Sequence, residues 1–209
     1  QYIMSVEVTI DTREPVLQAL LQTYHQNADP SQQSAISLKV EPLDVGDAQI
    51  TFGHTNILIE RKTCADLCAS LKDARYRNQK IRLLTKALPQ HVIYILEGAP
   101  SQLSLLQSDF PVHGLRSSVI SGMMVYTMLR DGIHVIPVAN TQETAAWIWT
   151  ITQKCLLNPE KIQSEPQTQS DQQQPQQQGG AAMAAVAAND YLQHVKVKKI
   201  DNITPEACY

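Results

Sequence analysis

The sequence predicts an α/β domain in which a mixed central sheet carries helices on both faces and holds a β-hairpin within it. Three observations lead there. Short apolar runs such as Val92 to Leu96 and Ile133 to Val138 alternate with longer runs of helical spacing, Gly114 to Leu129 and Thr141 to Leu157. Two alternating stretches, Asp47 to Phe52 and Ile57 to Lys62, flank the turn-like Gly53-His54-Thr55-Asn56 and read as a hairpin. Composition then shifts abruptly at Asn158, where Gln, Ser and Pro take over through Gln178, so one folded domain is expected over 1–157. With 209 residues, 43% hydrophobic and 18% charged, the chain can bury one ordinary core.

Taken in order, Val6 to Ile10 is an apolar run with β-branched residues and reads as a strand that delivers Asp11 at its end. Pro15 suits the first turn of a helix reaching about His25, for which Asp11 offers a cap and Glu14 a first-turn acid. Asn27 to Ser34 is polar and turn-rich and reads as a mobile loop, with Ile36 to Val40 returning as a strand. After the hairpin, Thr63-x-x-Asp66 has the spacing of a capping box. Asp73 can cap the next helix, on which Ile81, Leu84 and Leu88 form the expected buried stripe. Arg75, Gln79, Arg82 and Lys86 then share the outer face, where cations and an amide suit phosphate contacts.

The chemistry concentrates in the hairpin. Alternation along a strand sends Glu60 and Lys62 to one face, and a turn centred near His54-Thr55 sets Asp47 opposite Lys62 and Gln49 opposite Glu60. Asp47, Glu60 and Lys62 then converge: two hard oxygen ligands and one cation, which fits a Mg2+ site for phosphodiester cleavage.

Gly46-Asp47, followed by Glu60-Arg61-Lys62 and Asp66, resembles the signature of the XPF family of structure-specific endonucleases. The resemblance reaches upstream to Ile10-Asp11-Thr12-Arg13-Glu14 and downstream through Ser70 to Lys80, covers roughly residues 5 to 157, and is nearer the branch that cuts flaps and stalled forks. One departure is Ala48, where family members often carry an aromatic residue. The resemblance implies a restriction-endonuclease-like fold of the PD-(D/E)XK type and Mg2+-dependent hydrolysis of branched DNA, with Mn2+ able to substitute. It implies metal binding by Asp47 and Glu60, a catalytic role for Lys62, and Arg61, Asp11, Glu14 and Asp66 about the same centre. Asp66 is expected there as a cap or support rather than a direct ligand. The rival reading is a non-cutting DNA-binding partner subunit, whose motif would ordinarily be eroded.

Other features bound the partners. A net charge of −3 excludes coating of nucleic acid through bulk charge, although eight of the chain's 17 basic residues lie between Arg61 and Lys86. Cys64, Cys68, Cys155 and Cys208 lack zinc spacing and are too few for a disulfide framework. Buried thiols in a reducing intracellular compartment are expected, nuclear if the source is eukaryotic. No stretch is long and apolar enough to span a bilayer. Trp147 and Trp149 stand about 200° apart on a helix, so one is expected in the core and the other at a dimer surface, or under the Gly114 to Leu129 segment. The partner would be a second copy or a related nuclease-domain subunit. Residues 158–188 are expected to be a linker, and 189–209 the start of the helix-hairpin-helix module that follows the nuclease domain in the resembling family. Gln1 and Tyr209 read as the ends of a fragment.

Overall fold

The computed structural model describes residues 5–73, 75–99 and 109–163. Most of the expected linker, the expected helix-hairpin-helix segment and Cys208 lie outside the described residues.

The strands are β1 (Val6–Asp11), β2 (Ile36–Glu41), β3 (Ala48–Phe52), β4 (Thr55–Thr63), β5 (Val92–Glu97), the short β6 (Pro111–Val112) and β7 (Leu115–Arg116), and β8 (His134–Val138). Six of them form one sheet in the order β2-β1-β3-β4-β5-β8. The β1–β3 and β3–β4 pairs are antiparallel, and β1–β2, β4–β5 and β5–β8 are parallel. This is the mixed sheet with an internal hairpin that the alternation of elements predicts. Every residue of β5 is buried, as a parallel strand covered on both faces must be.

The helices are α1 (Pro15–Gln26), α2 (Pro30–Ala35), α3 (Cys64–Lys72), α4 (Arg75–Leu84), α5 (Ser117–Leu129), α6 (Thr141–Leu157) and α7 (Pro159–Gln163). They sort into two layers. Leu17 and Leu21 of α1 and Ala145, Ile148 and Trp149 of α6 join Val8, Ile10, Ala48, Ile59 and Ile95 in one core. Leu67 and Cys68 of α3, Tyr76 and Leu83 of α4, and Ile120 and Met124 of α5 join Leu58, Tyr94 and Leu96 in the other. Ile59 and Leu58 enter different cores, so β4 is read on both faces. Cys64, Cys68 and Cys155 are free and buried, and burial pushes the Cys64 thiol up to about 11.

Several expectations need correction. Phe52 pairs with Thr55, so the hairpin loop is Gly53-His54, and the register extrapolates to Asp47 opposite Glu60 rather than Lys62. The slip is two residues. Because side chains alternate with a period of two, a slip of two preserves which face each residue occupies, whereas a slip of one would have reversed it. The expected loop at 27–34 contains α2, begun by Asp29-Pro30 with proline in the first turn. Gln33 holds this turn by donating to the main-chain oxygens of Gln26 and Ala28. Helix α5 starts at Ser117 and not Gly114, because Pro111 to Arg116 form a two-stranded ribbon turned by His113 (φ 48°) and Gly114 (φ 77°). The buried stripe of α4 is Tyr76, Lys80, Leu83 and Leu84 rather than Ile81, Leu84 and Leu88. Folded chain also continues past Asn158 into α7, whose Ile162 packs against the first core.

Lys80 explains the rotated stripe. Its ammonium is buried, donates to Asp131 Oδ2 at 2.7 Å and Thr127 Oγ1 at 2.9 Å, and lies 4.4 Å from the Tyr76 ring centre. A charge seldom enters a core, so sequence patterning assigns Lys80 to the surface. Here Asp131, which also accepts from Arg130, supplies the compensating charge.

The tryptophans separate as expected. Trp149 is buried, stacked on Tyr24 and edge-on to His25, while Trp147 is 44% exposed.

Candidate metal and nucleic-acid site

Asp47 is delivered to the sheet by Gly46, whose φ of +78° is open to glycine and whose missing Cβ would lie 3.0 Å from the Ile59 carbonyl oxygen. The Asp47 N–H donates to that same oxygen at 2.8 Å, and the Asp47 carbonyl accepts from Asp11 N–H at 2.9 Å. Asp47 is thereby fixed between β1 and β4 one residue before β3 begins. Its Oδ2 accepts the Arg61 N–H at 2.7 Å. Ala48, the departure from the family pattern, turns to the opposite face and is fully buried in the first core, where a small side chain fits between Ile10 and Ile59.

Glu60 shares Asp47's face and is buried. Its Oε1 accepts from Gln79 Nε2 at 2.8 Å and lies 3.8 Å from the Lys62 ammonium. Lys62 itself donates to Gln79 Oε1 at 2.7 Å. Each carboxylate therefore has one committed oxygen, Asp47 Oδ2 and Glu60 Oε1. Asp47 Oδ1 and Glu60 Oε2 have no hydrogen-bond partner among the described residues.

Burial pushes the Asp47 carboxyl above its ordinary range, opposed by the Arg61 N–H and reinforced by the charge on Glu14. Burial likewise raises Glu60, and Asp47's charge adds to the rise, while Lys62, Arg13 and Arg82 oppose it. Two desolvated carboxylates facing one another favour a cation between them. The donor set is oxygen alone, with neither imidazole nor thiolate, which fits a hard divalent ion of the Mg2+ or Mn2+ kind. Among the described residues no group of three or more His, Cys, Asp and Glu is arranged to hold a metal. An ion here would take the rest of its coordination from water and substrate oxygens.

These residues open into a cleft of about 530 Å³ lined by Asp47, Glu60, Arg61 and Lys62 of the hairpin, by Glu14 before α1 and Asp66 of α3, and by Arg75, Asn78, Gln79 and Arg82 of α4. The other residues singled out from the sequence take varied places. Asp11 does not line the cleft and is held in a local network beside it: Arg13 donates to it from its main-chain N–H and its guanidinium, and Leu43 from its N–H at 2.8 Å. The Arg13 guanidinium is the main reason that Asp11 sits well below the usual carboxylate range. Glu14 is the residue at the N-terminus of α1, but its side chain makes no cap and accepts instead from Arg61 at 2.9 Å. The Arg61 guanidinium also reaches Glu97 at 2.9 Å, which ties β4 to α1 and β5. Asp66 makes half of the capping box, with its N–H on Thr63 Oγ1, while its Oδ2 accepts from the Thr63 hydroxyl rather than from the Thr63 N–H.

On α4 the expected outer face divides. Arg75 and Arg82 line the cleft, paired respectively with Asp73 and the Asp44 carbonyl. Gln79 does not lie on an outward DNA face, because it points inward between Glu60 and Lys62. Lys86 lies two residues past the end of α4, pairs with Asp44 at 3.5 Å and does not line the cleft. Sequence reasoning missed Glu97, which is buried and accepts from Thr144 Oγ1 at 2.6 Å and Thr141 Oγ1 at 3.2 Å. A carboxylate closing an all-apolar strand was its one signal.

A model of the ERCC4 domain family matches residues 10–151. The chain is 36% identical over 131 residues to the ERCC4 domain-containing protein EP364R of African swine fever virus (isolate Pig/Kenya/KEN-50/1950), an overlap of 60% of this chain and 34% of that protein. It is 32% identical over 129 residues to crossover junction endonuclease MUS81 of Debaryomyces hansenii, covering 56% of this chain and 19% of that protein. The chain thus spans about a third or less of the length of these curated relatives. Among solved structures, XPF from Aeropyrum pernix in complex with DNA superposes with a TM-score of 0.50 at 22% identity, covering 76% of this chain and 68% of that one. The likeness shows the fold, which is restriction-endonuclease-like.

The raised carboxyl values have a consequence for stability. A group that binds its proton more tightly when folded makes stability fall as pH rises from the unfolded value, about 4, toward the folded one. Without divalent ion, the melting temperature is expected to fall between about pH 4 and pH 8, and Glu60→Gln to flatten that fall and melt higher than the parent at about pH 8. Thermal melts in chelator across the range would check this, and a parent melting curve insensitive to pH, with no gain for Glu60→Gln, would oppose it.

Proposed function

The chain belongs to the ERCC4 domain family, and from that membership and the chemistry of the cleft we propose that it is a Mg2+-dependent endonuclease, able to use Mn2+, that hydrolyses phosphodiester bonds in branched DNA such as flaps, forks and nicked junctions. The observation that carries this reading is the pair of uncommitted oxygens, Asp47 Oδ1 and Glu60 Oε2, on one face beside the Lys62 ammonium.

Asp47 and Glu60 would hold the ion. When bound, such an ion supplies Lewis-acid polarisation of the scissile phosphate and lowers the pKa of its water. The protein's own contribution is position and charge. Lys62, kept in the cleft by Gln79, orients water or balances the charge that develops on the phosphorane oxygens. Arg75 and Arg82 line the same cleft and present guanidinium groups suited to phosphates on either side of the break. Contacts of this kind carry no base information, in keeping with recognition of shape rather than sequence.

We also propose dimerisation through α6. Trp147 at 44% and Leu157 at 60% exposure leave apolar surface on the helix whose other side is seated on α1. A second copy or a related nuclease-domain subunit would cover it.

Two measurements test these readings. Asp47→Ala and Lys62→Ala are each expected to lower cleavage of a labelled flap duplex in Mg2+ by about 10³-fold or more while binding in Ca2+ persists. Near-parental cleavage by Asp47→Ala would refute the metal assignment, and a parent that binds without cutting any branched structure would favour the non-cutting partner. In sedimentation, Trp147→Lys is expected to lower the mass of a self-associated parent or to abolish capture of a related subunit. A parent that stays monomeric at tens of micromolar and captures no such subunit would refute the interface.

A further inference from the structure

Gln79 belongs to a helix whose sequence pattern points it at solvent, yet the structure seats its amide between the two charged side chains of β4. The amide's orientation follows from its partners. An ammonium only donates and an ionised carboxylate only accepts, so Oε1 must face Lys62 and Nε2 must face Glu60. Both bonds are short, 2.7 Å and 2.8 Å, whereas the direct Lys62–Glu60 separation is 3.8 Å. Lys62 and Glu60 are both buried and lie two residues apart on one strand face. Nothing in the strand itself prevents this loose ion pair from closing to a direct hydrogen bond.

We propose that Gln79 is a positioning residue: its amide acts as a wedge that keeps the Lys62–Glu60 ion pair from closing to a direct hydrogen bond, so that Glu60 Oε2 remains available to a metal ion and the Lys62 ammonium to substrate. The proposal rests on the endonuclease reading above. It differs from the phosphate contact that the spacing of Arg75, Gln79, Arg82 and Lys86 suggests, because the Gln79 donors and acceptor are directed at protein.

The wedge has a rigid mount. Lys80, the next residue, is buried and bonded to Thr127 of α5 and to Asp131 in the turn after it, and Tyr76 one turn earlier bonds Thr127 at 2.7 Å and packs on Tyr94 of β5. With α4 fixed on one side, Gln79 has little freedom on the other. Its reach also matters, since an asparagine has one methylene fewer and cannot span both partners from the same main-chain position.

Gln79→Met keeps the length and burial but removes both hydrogen bonds. Outer-sphere partners of metal ligands commonly change metal affinity or activity by about 10–100-fold when removed. For Gln79→Met, the affinity for Mn2+ alone, read from the electron paramagnetic resonance of free ion, is expected to fall within that range. Single-turnover cleavage at saturating flap DNA should fall likewise, with DNA affinity in Ca2+ held within about twofold of the parent. Arg75→Ala, on the same helix, should give the reverse pattern: weaker DNA binding and unaltered Mn2+ affinity. Should Gln79→Met misfold in thermal melts, Gln79→Asn is to be read by the same three measurements with the same expectations.

A Gln79→Met protein that loses DNA affinity but keeps parental Mn2+ affinity and saturating rate would make Gln79 a DNA contact and overturn the proposal. Parental behaviour in all three measurements would overturn it too. If Glu60→Gln is inactive while Gln79→Met is parental, only the wedge fails. If the parent neither binds Mn2+ nor cleaves, the endonuclease reading fails and the wedge with it.

Discussion

The chemistry of the cleft depends on the register in which β3 pairs with β4. Phe52 opposite Thr55 closes a two-residue loop, and counting back from it brings Asp47 across from Glu60. The side-chain period of two then turns Asp47, Glu60 and Lys62 to one face and Ala48, Ile59 and Arg61 to the other. A slip of one residue between the two strands would turn Asp47 and Glu60 to opposite faces and carry one of them into the apolar layer under α1 and α6. Gly46 guards the register, because only a residue without Cβ can approach the Ile59 carbonyl so closely at positive φ.

From that register follows a division of labour between the two faces. Arg61 joins Glu14 and Glu97, tying α1 to β4 and β5, while its main-chain N–H orients Asp47. The structural ion pairs and the candidate site thus share one residue, with the side chain serving the first and the backbone serving the second. On the opposite face the site is closed by α4, which is held to α5 by the Lys80–Thr127 bond and to the turn after α5 by the Lys80–Asp131 pair. The two carboxylates are desolvated and repel each other, an arrangement that lowers stability in the absence of a cation and favours its capture. The two apolar cores, one on each face of the sheet, offset that cost.

Much of this was legible in the sequence. Strands β1, β5 and β8 follow from short apolar runs, α1 from Pro15 and α6 from its run of helical length, and Gly46-Asp47 with Glu60-Arg61-Lys62 marks the centre. The hairpin register was misjudged by two residues because Gly53-His54-Thr55-Asn56 offers several turn positions, yet parity rescued the convergence of Asp47, Glu60 and Lys62. Failures came where a polar residue is buried with a distant partner. Lys80 needs Asp131, Gln79 needs Glu60 and Lys62, and Glu97 needs Arg61, Thr141 and Thr144; helical spacing cannot reveal such partners. The Pro111 to Arg116 ribbon was missed because His113 is an unusual residue at positive φ, and α2 because a Pro-initiated turn in a polar segment resembles a loop.

The central claim is that Asp47 and Glu60 hold one divalent ion through the oxygens that the protein leaves unbonded. Anomalous scattering from crystals soaked in Mn2+ tests it most directly. The account requires a single strong peak about 2.0–2.3 Å from both Asp47 Oδ1 and Glu60 Oε2, with Oδ2 still accepting from the Arg61 N–H. A cleft without a peak at millimolar Mn2+, or an ion held elsewhere with these two oxygens left unliganded, would contradict it.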